Sequence, residues 1–208
     1  MIREKRWFGV FYMFVVTAFF STIVIGFSRF TRTRVEANKA MAFEHAVLAV
    51  LPSLFDAGAD SIELHRRFAE QVGAPDASSA GAYTFEENGR VAAYALPISG
   101  QGFWAPIKSV IGIDADRKTI TAIVFYEQNE TPGLGAQITT TEFRKQFEGK
   151  LVSSGAMPLN FKRAGEPLGE SDVHAVTGAT QTSIRLEKLI NAALVKWRTE
   201  LGERAGEK

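Results

Sequence analysis

Between Arg6 and Arg29 the chain runs for 22 residues without a charge, WFGVFYMFVVTAFFSTIVIGFS. At about 1.5 Å rise per residue this makes a helix of roughly 33 Å, enough to cross the hydrocarbon core of a bilayer. Twelve of the 22 residues are Phe, Val or Ile. At roughly −0.3 to −0.6 kcal/mol each near mid-bilayer, they favour insertion by roughly 4–7 kcal/mol. Trp7 and Tyr12 suit the interfacial belt at one end. A cleaved signal peptide would have an apolar region of about 7–15 residues followed by a small-residue cleavage site. Here the run is longer and is followed by RFTRTRVEANKA, so a retained anchor is expected. Arg3, Lys5 and Arg6 precede the span, and Arg29, Arg32, Arg34 and Lys39 follow it. The distribution of basic residues therefore leaves the orientation open.

Beyond the anchor, Val35–Leu51 reads as a helix ended by Pro52, and a short helix is expected around Ile62–Val72. A Gly/Ala/Ser/Pro-rich loop follows. The segment AYTFEENGRVAAYALPI holds two strands about an Asn88-Gly89 turn. Two more strands, Ile107–Ile113 and Thr119–Tyr126, are joined through Asp114–Lys118. ETPGLG (Glu130–Gly135) reads as irregular, TTEFRKQFEGK as a short helix ending at Gly149, and Leu159–Lys162 as a short strand. Leu186, Ile190, Ala193, Trp197 and Leu201 recur at helical spacing, which predicts an amphipathic helix over Ser183–Leu201. The fold class expected is α+β: an N-terminal single transmembrane helix, then an antiparallel sheet with packed helices. The divisions are 1–6 before the span, 7–28 the transmembrane helix, 29–80 connecting helices and a loop, and 81–208 the main domain.

The 208 residues are 46% hydrophobic and 23% charged, a composition with enough apolar matter for a sizeable core. With 24 basic against 23 acidic residues the net charge is +1, and no basic run interleaved with aromatics points to nucleic acid. There is no cysteine, which excludes thiol catalysis, thiolate metal sites and disulfides. His45, His65 and His174 lie far apart and match no metal-ligand spacing. Asp114-Ala-Asp116 begins like a calcium loop, but Lys118 takes the next ligand position, so a turn is the better reading. Gly133-Leu-Gly135 begins a dinucleotide fingerprint, yet Ile138 stands where the third glycine belongs. No serine sits in a nucleophile elbow.

Two segments remain. HAVTGATQTS places Thr177, Thr180, Thr182 and Ser183 around Gly178-Ala179, at the mouth of the last helix. A helix N-terminus is a ready phosphate site, because its first N–H groups lack intrahelical partners and lie at the positive end of the dipole. On physics alone a capped turn explains the segment as well, with Thr182 or Ser183 as the cap. ETPGLG can likewise be a rigid connector, with Pro132 fixing φ and the glycines reversing the chain.

Taken together, FYEQNETPGLGAQI, EFRKQFEGK and VTGATQTS resemble the FMN-binding domain shared by RnfG and NqrC subunits of the Rnf complex and the sodium-translocating NADH:quinone reductase. The resemblance covers most of the chain. It implies a covalently flavinylated electron-transfer subunit, not catalytic alone, with FMN in phosphoester linkage to Thr180. Thr177, Gly178, Ala179 and Thr182 would complete that segment, and Glu130, Thr131, Leu134 and Trp104 would lie against the flavin ring. Implied partners are the other membrane subunits of an Rnf or Nqr-type complex and a separate flavin transferase. The family also implies a cytoplasmic segment 1–6 and a single-pass protein of the inner membrane with its domain on the periplasmic side. Chain length resembles the Rnf type, with the Nqr-type subunit as the alternative. One departure stands out: His174 occupies the position, six residues before the modified threonine, where many members have Asp, and Asp172 lies two residues earlier. That departure favours the other alternative, an anchored binding or scaffold module without covalent flavin. A stand-alone flavinylated protein is a third reading.

Overall fold

The computed structural model describes residues 7–56 and 58–206. The N-terminal segment 1–6, with Arg3, Lys5 and Arg6, lies outside the described residues. The chain divides into two compact units, Met1–Ala40 and Met41–Lys208.

Helix α1 spans Phe8–Val50. It contains the uncharged run and is long and apolar enough to cross a membrane, with side chains of that run exposed throughout most of its length. Sequence reading divides this region into a span ending at residue 28 and a separate helix from Val35. The structure has one helix, because no proline and no glycine between Gly26 and Val50 interrupts the intrahelical ladder. Pro52 follows the helix end as expected.

In the second unit, α2 (Ser61–Gln71) begins at an Asp60 cap whose side chain accepts the Glu63 N–H. Strands β1 (Val72–Gly73), β2 (Tyr83–Glu87), β3 (Arg90–Gln101), β4 (Pro106–Asp114) and β5 (Ile120–Glu127) form one antiparallel sheet in sequence order. Asn88 and Gly89 both take positive φ, 53° and 73°, as a two-residue hairpin loop requires. β3 and β4 share a register of nine consecutive pairs, from Ala93↔Asp114 to Gln101↔Pro106. A 3₁₀ turn (Gly135–Thr139) and α3 (Thr141–Lys145) lead on to β6 (Asn160–Lys162) and β7 (Asp172–His174), which pair in parallel. Helix α4 (Thr180–Gly206) closes the fold.

On the central strands β3 and β4 the two faces of the sheet are built from side chains of different size. One face presents Tyr94, Leu96, Ile98, Ile107, Ile111 and Ile113, all buried against α4 through Leu186, Ile190, Leu194 and Trp197. Full burial of each large apolar side chain is worth about 1.5–3 kcal/mol. The Trp197 indole N–H also donates to the Ser79 carbonyl at 2.9 Å, so its one polar atom is satisfied. The other face presents Ala93, Ala95, Gly112 and Val110 to Ala46–Leu54 and Leu64. A Cβ at Gly112 would stand 2.6 Å from the Val50 carbonyl oxygen, so only glycine lets the chain approach there. Thr121 donates its hydroxyl to that same carbonyl at 3.2 Å. The small side chains of this face are thus the condition for close packing of the α1 end.

Candidate functional site

Both motif segments are four-residue turns of the same design. In Thr131–Leu134, Pro132 occupies the second position and Gly133 the third with φ +75°, and the Leu134 N–H donates to the Thr131 carbonyl at 3.1 Å. In Val176–Ala179, Gly178 is third with φ +78°, and the Ala179 N–H donates to the Val176 carbonyl at 3.2 Å. The two turns meet: a Cβ on Gly178 would lie 3.2 Å from Leu134 Cδ2. Glycine is required there both by the left-handed backbone and by the neighbour.

Helix α4 starts earlier than the apolar periodicity indicates. The Ser183 N–H donates to the Ala179 carbonyl at 3.0 Å, so Thr180 is the first helical residue. Neither Thr182 nor Ser183 caps the helix. The Ser183 hydroxyl accepts the Val176 N–H at 3.1 Å and ties the turn to the helix. The Thr182 hydroxyl is buried and donates to Glu130 Oε2 at 2.7 Å.

Glu130 is the hub of the site. It is only 4% exposed. Its Oε1 accepts the Phe103 N–H at 2.7 Å and the Trp104 N–H at 3.3 Å, while Oε2 takes the Thr182 hydroxyl. Gln128 accepts the Glu130 backbone N–H at 2.6 Å. One carboxylate therefore joins three segments: the turn between β3 and β4, the ETPGLG loop, and the first turn of α4. The β3–β4 turn is closed by a Gly102 N–H bond to the Ala105 carbonyl at 2.9 Å.

These segments enclose a cavity of about 240 Å³ lined by Phe103, Glu130, Thr131, Leu134, Gly135, Gly178, Ala179, Thr180, Gln181 and Thr182. Of the residues singled out in the sequence, Glu130, Thr131, Leu134, Gly178, Ala179, Thr180 and Thr182 come together here. Thr177 is exposed in the turn and outside the cavity wall. Trp104 is also outside that wall. It is 65% exposed, and its indole N–H donates to the Thr131 hydroxyl at 3.2 Å. Its neighbour Phe103, edge-on to Trp104 with ring centroids 4.8 Å apart, lines the cavity in its place. Sequence reading missed Phe103 and Gln181. Phe103 sits in the same GQGFWAPI stretch as Trp104, and only the direction of the turn separates their roles.

His174 and Asp172 are both committed elsewhere. His174 Nε2 lies 2.9 Å from the Glu166 carbonyl oxygen, and its backbone N–H donates to Gln146 Oε1 at 2.7 Å. Asp172 accepts the Gly169 N–H at 2.9 Å and the Asn160 amide at 3.1 Å. The Gly169 bond first and the Asn160 bond second hold its carboxyl below the ordinary carboxylate range. Neither side chain lines the cavity.

Residues 102–195 match the family model described as an FMN-binding domain. The NqrC subunit of the Na(+)-translocating NADH-quinone reductase of Vibrio alginolyticus is 36% identical over 110 residues, which cover 51% of this chain and 43% of that protein. The corresponding protein of Chlamydia pneumoniae is 42% identical over 108 residues, covering 50% of this chain and 32% of that protein. The match thus spans less than half the length of these curated relatives. The crystal structure of Shewanella oneidensis NqrC superposes with a TM-score of 0.68 at 19% identity, over 80% of this chain and 98% of that one, a likeness of fold. The resemblance drawn from the two sequence motifs is borne out. Residues 102–195, which contain both turns, the buried carboxylate and most of α4, are thus similar to FMN-binding domains, and the chain resembles subunits of the NqrC type.

Proposed function

We propose that the chain is a membrane-anchored redox subunit that carries FMN on Thr180 through a phosphoester, within an ion-translocating electron-transfer complex of the Rnf or Nqr class. The contrast between two threonines carries this reading. Thr180 is exposed at the start of α4, whereas Thr182 is buried with its hydroxyl engaged by Glu130. Only the first offers an oxygen that a modifying enzyme can reach.

The surroundings fit the group. Thr180 is the first residue of α4, and the unpaired amides and positive dipole end of a helix N-terminus favour the charge that a phosphate on it would carry. Phe103, Trp104 and Leu134 are 41%, 65% and 45% exposed and offer an apolar surface to an aromatic ring. A cavity of about 240 Å³ is smaller than the roughly 300–1,000 Å³ of sites that enclose a ligand. A flavin here would rest on the surface, and a covalent bond would supply the retention that enclosure does not. FMN, when bound, supplies the electron-transfer chemistry. The chain's part is to anchor through Thr180 Oγ, to hold the phosphate at the α4 amides, and to fix the aromatic turn through Glu130. Gly178 and Ala179 leave the approach to Thr180 uncrowded. In the maturation this implies, Thr180 Oγ displaces AMP from FAD and gives up its proton, with a separate flavin transferase as catalyst, since a threonine hydroxyl is a weak nucleophile at neutral pH.

Similarity to the NqrC subunits of Na(+)-translocating reductases favours the Nqr-type assignment over the Rnf type. α1 would anchor the chain in the inner membrane beside the other membrane subunits, with the domain on the periplasmic side. The test is co-expression with a flavin transferase, followed by in-gel flavin fluorescence after denaturation and intact mass. Wild type and Thr182→Val should fluoresce and gain the mass of one FMN less one water, while Thr180→Val should do neither. An unlabelled wild-type chain, under conditions that label a known acceptor, overturns the reading and leaves the scaffold alternative.

A further inference from the structure

The sheet has an unfinished edge. The Ala115 N–H donates to the Ala92 carbonyl, and the Gly102 N–H donates to the Ala105 carbonyl. Both bonds lie on the β3–β4 register, and both fall on even-numbered residues of the β3 strand line. In an antiparallel ladder, residues alternate between pointing their N–H and C=O at one neighbour and at the other. The even residues Tyr94, Leu96, Ile98 and Gly100 therefore bond β4, and the odd residues face the β2 side. β2 meets Ala93 and Ala95 and then ends at Tyr83. Pro97 comes next, where a missing N–H costs no bond. Beyond it Ser99 and Gln101 aim both backbone groups outward, and neither has a hydrogen-bond partner on that side among the described residues.

This edge forms one wall of a groove of about 590 Å³ whose other wall is α4. Leu189 packs onto Gly100, where a Cβ would lie 2.3 Å from Leu189 Cδ1, and so floors the groove with an apolar side chain. The charged residues lining it are Arg185, Lys188 and Lys196, with no acidic residue among them. Lys196 reaches Glu200 at 3.8 Å, whereas Arg185 and Lys188 have no ion-pair partner among the described residues. Exposed edges are commonly protected by charges on the strand itself. From Pro97 to Gln101 this strand carries none, so nothing on it repels a partner. The free length, five residues at about 3.3 Å each, is roughly that of an ordinary strand.

We propose that the open edge of β3 from Pro97 to Gln101, with the basic flank of α4, is a docking groove for an extended acidic segment of a partner protein, which adds to the sheet as a further strand. Main-chain bonds to Ser99 and Gln101 supply affinity, and acidic side chains meeting Arg185, Lys188 and Lys196 supply selectivity. Both walls lead to the candidate site: β3 runs into the Phe103-Trp104 turn, and α4 runs out from Thr180. A partner docked here is held beside that site. The surface is independent of whether Thr180 is modified.

The experiment uses the full chain in lipid nanodiscs and a short synthetic peptide of alternating Glu and Val. Hydrogen exchange is followed at single-amide resolution, and affinity by titration. The expected result is protection of the Ser99 and Gln101 amides by at least about tenfold, with Ile98 and Gly100 unchanged because they already bond β4. Arg185→Glu with Lys188→Glu, both on exposed positions, should weaken binding by about tenfold or more. Ser99→Pro removes an outward donor without touching the β4 ladder and should also weaken binding. Unaltered thermal unfolding of each variant checks that the fold is intact. A peptide of alternating Lys and Val should not bind. Equal binding of the Lys peptide, binding without protection at Ser99 and Gln101, or binding unchanged by methylation of alternate peptide amides each overturns the proposal. Slow exchange of both amides in the chain alone also overturns it, since the edge would then be occupied by a second copy.

Discussion

Thr180→Val and Thr182→Val make the same chemical change two residues apart, a hydroxyl replaced by a methyl of equal size, and the structure assigns them opposite consequences. The Thr182 hydroxyl is buried and donates to a carboxylate at 2.7 Å. Its loss removes a bond to a carboxylate, worth about 1.5–3 kcal/mol, and leaves Glu130 Oε2 without a donor. For a domain of this size, 1 kcal/mol corresponds to about 2–4 °C, so Thr182→Val should lower the unfolding midpoint by roughly 3–12 °C. Thr180 is exposed, and its valine variant should stay within about 0.5 kcal/mol of wild type, or about 2 °C. Thermal unfolding of the full chain in detergent, read through tryptophan fluorescence, measures both. Glu130→Gln adds a third arm: the amide can still accept both turn N–H groups and donate to the Thr182 oxygen, so it should cost less than Thr182→Val. A double-mutant cycle between Glu130→Ala and Thr182→Val, each of which removes the bond, should return a coupling of about 1 kcal/mol or more. Equal small shifts for the two valine variants, with no coupling, would refute the view that a buried Glu130–Thr182 bond fastens α4 to the site.

Gly178→Ala should destabilise by about 1–2 kcal/mol, because alanine is strained at φ +78° and its Cβ meets Leu134, and urea unfolding measures this. Trp197→Phe keeps most of the buried ring but removes the indole bond to the Ser79 carbonyl, which still accepts the Ala82 N–H at 3.1 Å, and should cost about 0.5–1.5 kcal/mol for that bond in the same assay. Asp172 is held below its usual range by the Gly169 N–H and the Asn160 amide, so its contribution is present above the ordinary carboxylate range and fades as pH falls through the depressed value. Comparing wild type with Asp172→Asn from neutral to acidic pH, the stability difference should be small, because the group is exposed, and should disappear at the acidic end.

Much of the sheet was legible because local chemistry and tertiary demand agree. Asn88-Gly89 fixes a hairpin loop, and the Ile/Val-rich runs of β4 and β5 fit a half-buried pleat. β1 and β7 were not, since two or three residues show no periodicity and their pairing depends on partners far along the chain. The start of α4 was misplaced by three residues, because Thr180 and Gln181 are exposed and belong to no apolar stripe. The two motifs announced that something special happens at Glu130–Gly135 and Thr177–Thr180, and the cavity brings them together. Their division of labour was illegible. Nothing in ETPGLG says that both Glu130 oxygens turn inward to the chain's own donors, and nothing in TGATQTS separates the reachable Thr180 from the buried Thr182.

The unequal faces of the sheet bear on fidelity of folding. A slip of one residue between β3 and β4 would exchange every inward and outward side chain of the moving strand. Ile111 and Ile113 would then be driven toward the Val50 carbonyl, where even a single Cβ at Gly112 finds no room, and the glycine would leave a void beneath α4. The same slip would shift the Gly102–Ala105 turn and take the Phe103 and Trp104 amides off Glu130. The sheet therefore proofreads its own register, and a chain that has failed to align its strands is also one that has failed to assemble the site.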